Sequence, residues 1–181
     1  MSVRGEGKAA TLNRLVGGGL IGIVLLAAIV GAIWTPYEPL AIDIKVRLQA
    51  PSAAHWLGTD EFGRDVLSRI LAGASTSVWI SAATVICVII LGSAIGIATG
   101  YLRGWADHLA MIVNDTLLAF PGILLALGLM AVIGPGSGGI MLALTVAYLP
   151  TVVRVVRGVV LSLREREFIE ASLVIGNSQL Y

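Results

Sequence analysis

The chain has 181 residues, of which 57% are hydrophobic and only 13% charged, and its mean hydropathy is +0.92. A soluble domain of this length does not need so much apolar surface, so the composition predicts a membrane protein. The net charge of +1 gives no reason to expect a nucleic-acid partner, and a single cysteine excludes an intrachain disulfide.

Apolar stretches predict four membrane-spanning helices, since a helix needs roughly 20 apolar residues to cross a bilayer. The predicted spans are residues 15–34, 76–101, 116–133 and 140–160. The sequence GPGSGG at 134–139 separates the last two as an outer turn, because it would be too costly within a lipid-facing helix. The first span follows a tail at 1–14 and is too long for a signal-peptide core, so it is predicted to be an uncleaved anchor. The predicted fold class is all-α integral membrane.

The distribution of lysine and arginine predicts that the N-terminus lies in the cytoplasm. That orientation places eight basic residues inside or at the inner interface, against four in the outer segment 35–75, which also carries five acids. The segments 102–115 and 161–181 then lie in the cytoplasm as well.

The outer segment 35–75 is predicted to be a loop that ends in an interfacial amphipathic helix. Apolar residues recur there at helical spacing, at Phe62, Val66, Leu67, Ile70 and Leu71. Thr59 or Asp60 is the predicted cap, with Asp60/Arg64 and Asp65/Arg69 as pairs four residues apart. His55 lies near these acids, but the spacing fits no standard metal site, so a structural role is favoured.

Three glycines in the second span, Gly92, Gly96 and Gly100, form a stripe of small residues on one helix face. Such a stripe lets another helix approach closely within the lipid. We therefore predict a helix-packing face there.

The entrance to the third span carries two polar residues, Asn114 and Asp115. A carboxylate is costly at the bilayer centre, so one of these residues is predicted to cap the span at its cytoplasmic mouth. Pro121 is predicted to kink the span or to lie in its first turns, and Pro150 to interrupt the fourth span. Arg154 and Arg157, near the inner end of that span, fit membrane anchoring best, with a role in the pathway or in subunit contact as the alternative.

Motifs for catalysis are incomplete in this sequence. Two matches to G-x-G-x-x-G lack the strand that dinucleotide binding requires, and no P-loop motif is present. Ser137 follows Gly136, but Pro135 stands where a nucleophile motif needs glycine. We predict no catalytic residue, cofactor or metal site, so any ATP energy must come from a partner.

Three stretches together carry a family resemblance: HWLGTDEFGRDVLSRILAGASTS, GYLRGWADHLAMIVNDTLLAFPGILLAL and EFIEASLVIG. They resemble the inner-membrane permease subunits of ABC importers for dipeptides, oligopeptides and nickel, specifically the C-type member of the permease pair. The resemblance implies alternating access in the bacterial or archaeal inner membrane. It also implies a second permease, ABC ATPase subunits and an extracytoplasmic substrate-binding protein as partners.

The resemblance also implies an ATPase-docking motif, the EAA motif, on a cytoplasmic coupling helix. Glu170, Ala171 and Gly176 match this motif, and Ser172 stands where the family has a second alanine. Asn114, Asp115 and Arg154 are the expected residues of the cytoplasmic mouth of the pathway.

The sequence departs from the family after this motif, because six-span permeases continue with two further spans and this sequence ends at Tyr181. The expectation is a fragment or a truncated product that does not transport alone. The alternative is a four-span membrane scaffold without a transport role. A membrane-embedded hydrolase that uses Ser137 is a more distant alternative.

Overall fold

The computed structural model describes residues 3–102, 104–166 and 175, with the backbone alone given over residues 3–12. The helices in this part are α1 (Val3–Ile33), α2 (Val66–Leu102), α3 (Trp105–Leu118), α4 (Gly122–Ile133) and α5 (Ser137–Arg164). A short 3-10 turn covers Ile44–Val46, and the described residues contain no strand. The prediction of an all-α membrane protein is confirmed.

Three stretches of helix are long and apolar enough to cross a membrane: Asn13–Ile33, Val66–Leu102 and Ser137–Arg164. α3 and α4 pass the same test only as a pair, with a bend of 94° across a short break between them. The described residues therefore contain three candidate spans, or four if the broken pair counts as one.

The first compact unit, Met1–Trp79, contains α1, the loop over residues 34–65 and the first turns of α2. α1 lies directly against α2 at Gly31, where a Cβ would overlap the backbone carbonyl of Leu71. Only glycine permits this approach.

Asp60 organises a turn of the loop. Its carboxylate accepts hydrogen bonds from the backbone N–H groups of Phe62 (2.8 Å) and Arg64 (3.0 Å), from Arg64 Nε (2.8 Å) and from the Arg69 guanidinium. Burial raises the pKa of Asp60, but the hydrogen bonds from Arg64 and Phe62 and the charge of Arg64 outweigh it and lower the pKa to about 2. The carboxylate is therefore ionised at neutral pH and holds the turn.

The prediction that Thr59 or Asp60 caps the start of the amphipathic helix is wrong, because α2 begins only at Val66. Gly63 has a φ of 75° and approaches the Asp43 carbonyl so closely that a Cβ would overlap it. A helix cannot follow this path. Asp65 caps α2 instead, accepting from the Ser68 N–H at 2.8 Å.

The second compact unit is Ile80–Tyr181. Within it α4 packs on α5 through Ala126, Ala143 and Ala147, which are almost fully buried. α5 continues without a break through Pro150, whose side chain is fully buried, so the predicted interruption of this span is wrong. Proline is tolerated within membrane helices where surrounding protein satisfies the backbone groups that it frees.

The structure also corrects the start of the third predicted span. Gly104, with a φ of 89°, precedes α3, which begins at Trp105 rather than at residue 116. Asn114 and Asp115 consequently lie in the C-terminal half of α3 and do not cap the N-terminus of a span. The helix is interrupted at Phe120–Pro121, because proline has no N–H to continue it. α4 starts at Gly122.

Candidate functional site

The C-terminal half of α5 carries an arginine cluster, defined here as Arg154, Arg157 and Arg164 with their partners Asp115, Asp107 and Tyr101. Each arginine contacts a different point on α2 or α3. In the sequence, Arg164 of this cluster comes a few residues before the predicted docking motif.

Arg157 and Asp107 form the best-defined contact of the cluster. Nε of Arg157 donates to Oδ1 of Asp107 and Nη2 donates to Oδ2, both at 2.7 Å. The two side chains are 28% and 13% exposed, so this two-point ion pair is largely shielded from solvent. A bidentate arginine–carboxylate pair fixes orientation as well as distance. Asp107 lies in the first turn of α3, where the helix dipole favours a negative charge.

Arg154 and Asp115 form a second ion pair between α5 and α3, at the other end of α3. Both side chains are more than half exposed, and the contact has a single point. Exposed pairs of this kind contribute little to stability. The structure therefore brings together two of the three predicted mouth residues.

Arg164 binds the end of α2. Its guanidinium donates to the Tyr101 carbonyl and lies 5.2 Å from the centroid of the Tyr101 ring. The last carbonyls of a helix lack partners within the helix, so this contact caps α2.

Asn114, the third predicted mouth residue, is 6% exposed, and its Nδ2 has no hydrogen-bond partner among the described residues. Asn114 contributes to the wall of an apolar groove of about 430 Å³ between α2, α3 and α5. The ion pair of Asp115 with Arg154 and the buried amide of Asn114 therefore lie side by side on α3.

The three stripe glycines of α2 face a row of valines on α5. A Cβ at Gly92, Gly96 or Gly100 would lie 2.8–2.9 Å from side-chain atoms of Val152, Val156 or Val160, respectively. Real Cβ atoms do not approach other atoms so closely, so these positions require glycine for the observed helix separation.

His55 and Asp65 form a separate cluster in the first unit. Nδ1 of His55 lies 3.0 Å from Oδ1 of Asp65, and Ser68 Oγ donates to Oδ2 at 2.7 Å. Burial raises the pKa of Asp65, but hydrogen bonds from Ser68 and His55 outweigh it and lower the pKa. No group of three metal-ligating side chains occurs among the described residues, and this cluster orders the loop instead.

The four predicted docking residues, Glu170, Ala171, Ser172 and Gly176, lie outside the described residues. α5 ends at Arg164, only a few residues before them.

Comparison with known proteins identifies the family. Residues 92–181 match the family described as "Binding-protein-dependent transport system inner membrane component". This range contains the end of α2, the broken pair, the arginine cluster and the predicted docking motif.

The chain belongs to this permease family.

Relatives of this chain include a peptide transport system permease protein of Brucella suis, 43% identical over 161 residues. The nickel transport system permease protein NikC of Escherichia coli K12 is 38% identical over 157 residues. The dipeptide transport system permease protein DppC of Alkalihalophilus pseudofirmus is 40% identical over 162 residues. These matches cover 89%, 87% and 88% of this chain and 54%, 57% and 53% of the relatives. The chain thus spans about half the length of the curated relatives that it matches.

Sequence reasoning missed Asp107, Arg164 and Tyr101 as members of the arginine cluster. It assigned Arg157 mainly to membrane anchoring, because its partner Asp107 is 50 residues away in the sequence. The available signal was the pair of acids eight residues apart in a segment that forms a helix, facing two arginines one turn apart.

Proposed function

We propose that this chain is a permease subunit of an ATP-driven, binding-protein-dependent importer. The family match over residues 92–181 is the observation that carries the proposal. Dipeptides or oligopeptides are the proposed substrates, with nickel as the second choice, because the relatives are named for peptide, dipeptide and nickel transport.

The proposed partners are a second permease, two ABC ATPase subunits and an extracytoplasmic substrate-binding protein. In the proposed orientation the N-terminus and the end of α5 face the cytoplasm of the cell, and the loop 34–65 faces outward. The excess of basic residues on the cytoplasmic side supports this orientation. Membrane helices without a P-loop need an external motor, and this chain contributes no catalytic group to ATP hydrolysis.

The mechanism we propose is alternating access. Closure of the ATPase dimer on ATP pulls on the docking residues Glu170, Ala171, Ser172 and Gly176, and the attached helices move as rigid bodies to open the pathway outward. The position of the arginine cluster supports this mechanism, because its contacts tie the end of α5 to α2 and α3 directly before the docking segment. Asn114, Asp115 and Arg154 are the proposed cytoplasmic mouth.

Cysteine cross-linking in the assembled importer tests the docking claim. The native Cys87 is first replaced by serine, since it is the chain's single cysteine. Glu170→Cys and Ser172→Cys are then expected to cross-link to a cysteine in the ATPase cleft. Ser52→Cys, in the exposed loop that we place outside the cell, is the matched control and is expected to give no ATPase cross-link.

The control variant also tests the orientation. In intact cells a membrane-impermeant thiol reagent is expected to label Ser52→Cys and to leave Ser172→Cys unlabelled. Absence of ATPase cross-links from both docking variants in an importer that is fully assembled would overturn the docking claim.

A further inference from the structure

α5 contacts both helices of the broken pair, α3 and α4. It holds α3 through the two ion pairs and α4 through the packing of Ala126 against Ala143 and Ala147. Between these two helices the chain turns by 94° at Phe120–Pro121, where no helical hydrogen bond from proline maintains the angle. The contacts with α5 are therefore what fixes the orientation of α3 relative to α4.

The two contacts on α3 differ in strength. Arg157 binds Asp107 with two hydrogen bonds of 2.7 Å in a largely shielded position, whereas the pair of Arg154 with Asp115 is exposed and has one contact. The two-point contact of Arg157 with Asp107, called the fork from here on, resists rotation of α3 because it is shielded. Solvent and salt weaken the exposed pair of Arg154 with Asp115. Of the two ion pairs, the pair of Asp107 with Arg157 therefore constrains the orientation of α3 more strongly.

We infer that Asp107 and Arg157 are positioning residues that tie α3 of the broken pair to α5, so that movement of α5 reorients α3. This inference rests on the proposed function, in which the segment after α5 receives the ATPase movement. Without the fork, α5 follows the ATPase while α3 lags behind. ATP hydrolysis then continues, but fewer substrate molecules are transported for each ATP.

The test measures substrate uptake and ATP hydrolysis together, in proteoliposomes that hold the assembled importer with its binding protein. Asp107→Asn removes the charge of the acid and is expected to lower the uptake per ATP about fivefold or more, within the usual range of coupling between sites. The ATPase rate is expected to stay near that of the wild type. Asp107→Glu, which keeps the carboxylate, is expected to restore most of the coupling.

His108→Asn is the matched control, because His108 follows Asp107 in the first turn of α3 and its side chain is exposed. This variant is expected to keep the wild-type uptake per ATP. Should Asp107→Asn fail to assemble, Arg157→Lys is measured in its place, because it keeps the positive charge and removes only the planar fork. The same loss of uptake per ATP is expected for it.

Three outcomes distinguish a positioning role of this pair from a purely structural one and from failure of the proposed function. A fall in uptake per ATP for the fork variants but not for His108→Asn supports the inference. An equal fall in uptake and hydrolysis, or no fall at all, overturns it, because the pair would then be only structural or dispensable. Absence of ATP-driven uptake in the wild type instead refutes the proposed function.

Discussion

Replacing Gly96 by alanine tests how closely α2 packs on α5. The added methyl group would lie 2.8 Å from Cβ of Val156 and 2.9 Å from the carbonyl oxygen of Val153. Val153 O belongs to the backbone, so a change of side-chain rotamer cannot relieve that contact. The two helices must therefore move apart, and in a lipid environment close packing is a main source of helix association.

The expected cost follows from two opposing terms. Overpacking of this kind costs roughly 1–3 kcal/mol, while a glycine-to-alanine change within a helix gains about 0.8–1.0 kcal/mol. Gly158→Ala in α5 is the matched control, since a Cβ there meets nothing within 4 Å. The two variants share the helix-propensity gain, so Gly96→Ala is expected to be less stable than Gly158→Ala by about 1–3 kcal/mol.

Thermal unfolding in detergent micelles, followed by tryptophan fluorescence, measures this difference. Each kcal/mol is expected to shift the Tm by about 2–4 °C for a chain of this size. Equal Tm values for Gly96→Ala and Gly158→Ala would refute the close approach of the two helices.

Three further predictions concern the loop and the α4–α5 contact. The pKa of Asp60 is lowered from 3.8 to about 2 in the folded chain, so its stabilisation of the loop is complete above pH 3.8 and is lost as the pH falls toward 2. Limited proteolysis with an acid-active protease is expected to show faster cleavage of the loop over that range. Asp60→Asn is expected to weaken this pH dependence, and the part that remains belongs to Asp65, whose pKa is also lowered. Gly63→Ala is expected to speed cleavage of the same loop at neutral pH, because the new Cβ would overlap the Asp43 carbonyl at a positive φ, whereas an unchanged rate would contradict this geometry. Ala143→Leu is expected to lower the Tm through an overpacking cost of roughly 1–3 kcal/mol, because Ala143 is fully buried, and a variant as stable as the wild type would argue against this core.

The apolar pattern of the sequence was sufficient to predict the helical membrane class. The start of α2 was not predictable from local pattern, because the pair Asp60/Arg64 has helical spacing yet forms within a turn. The bend at Gly63 and its tertiary approach to Asp43 decide the conformation there. Arg69 likewise binds Asp60 rather than the predicted Asp65.

The site was predictable only in part: Asp115 and Arg154 were both expected at the mouth, but their ion pair was not. Asn114 and Asp115 were identified from the cost of polar groups in lipid, but they were assigned to the start of a helix that in fact begins at Trp105. Pro121 was compatible with either a kink or a first turn, and only the three-dimensional structure shows the 94° bend. The pair of Asp107 with Arg157 spans 50 residues, and no local periodicity signals such a contact.

ATP-dependent uptake by the reconstituted importer tests the central claim most directly. Proteoliposomes containing the protein at its native length, the proposed partner permease and the proposed ATPase are supplied with the loaded binding protein outside and ATP inside, and accumulation of labelled dipeptide, oligopeptide or nickel is measured. We predict accumulation of one of these substrates that requires ATP hydrolysis and stops when this permease is left out. Uptake that proceeds equally without this permease, or no uptake of any of the three from a fully assembled complex, would contradict the assignment.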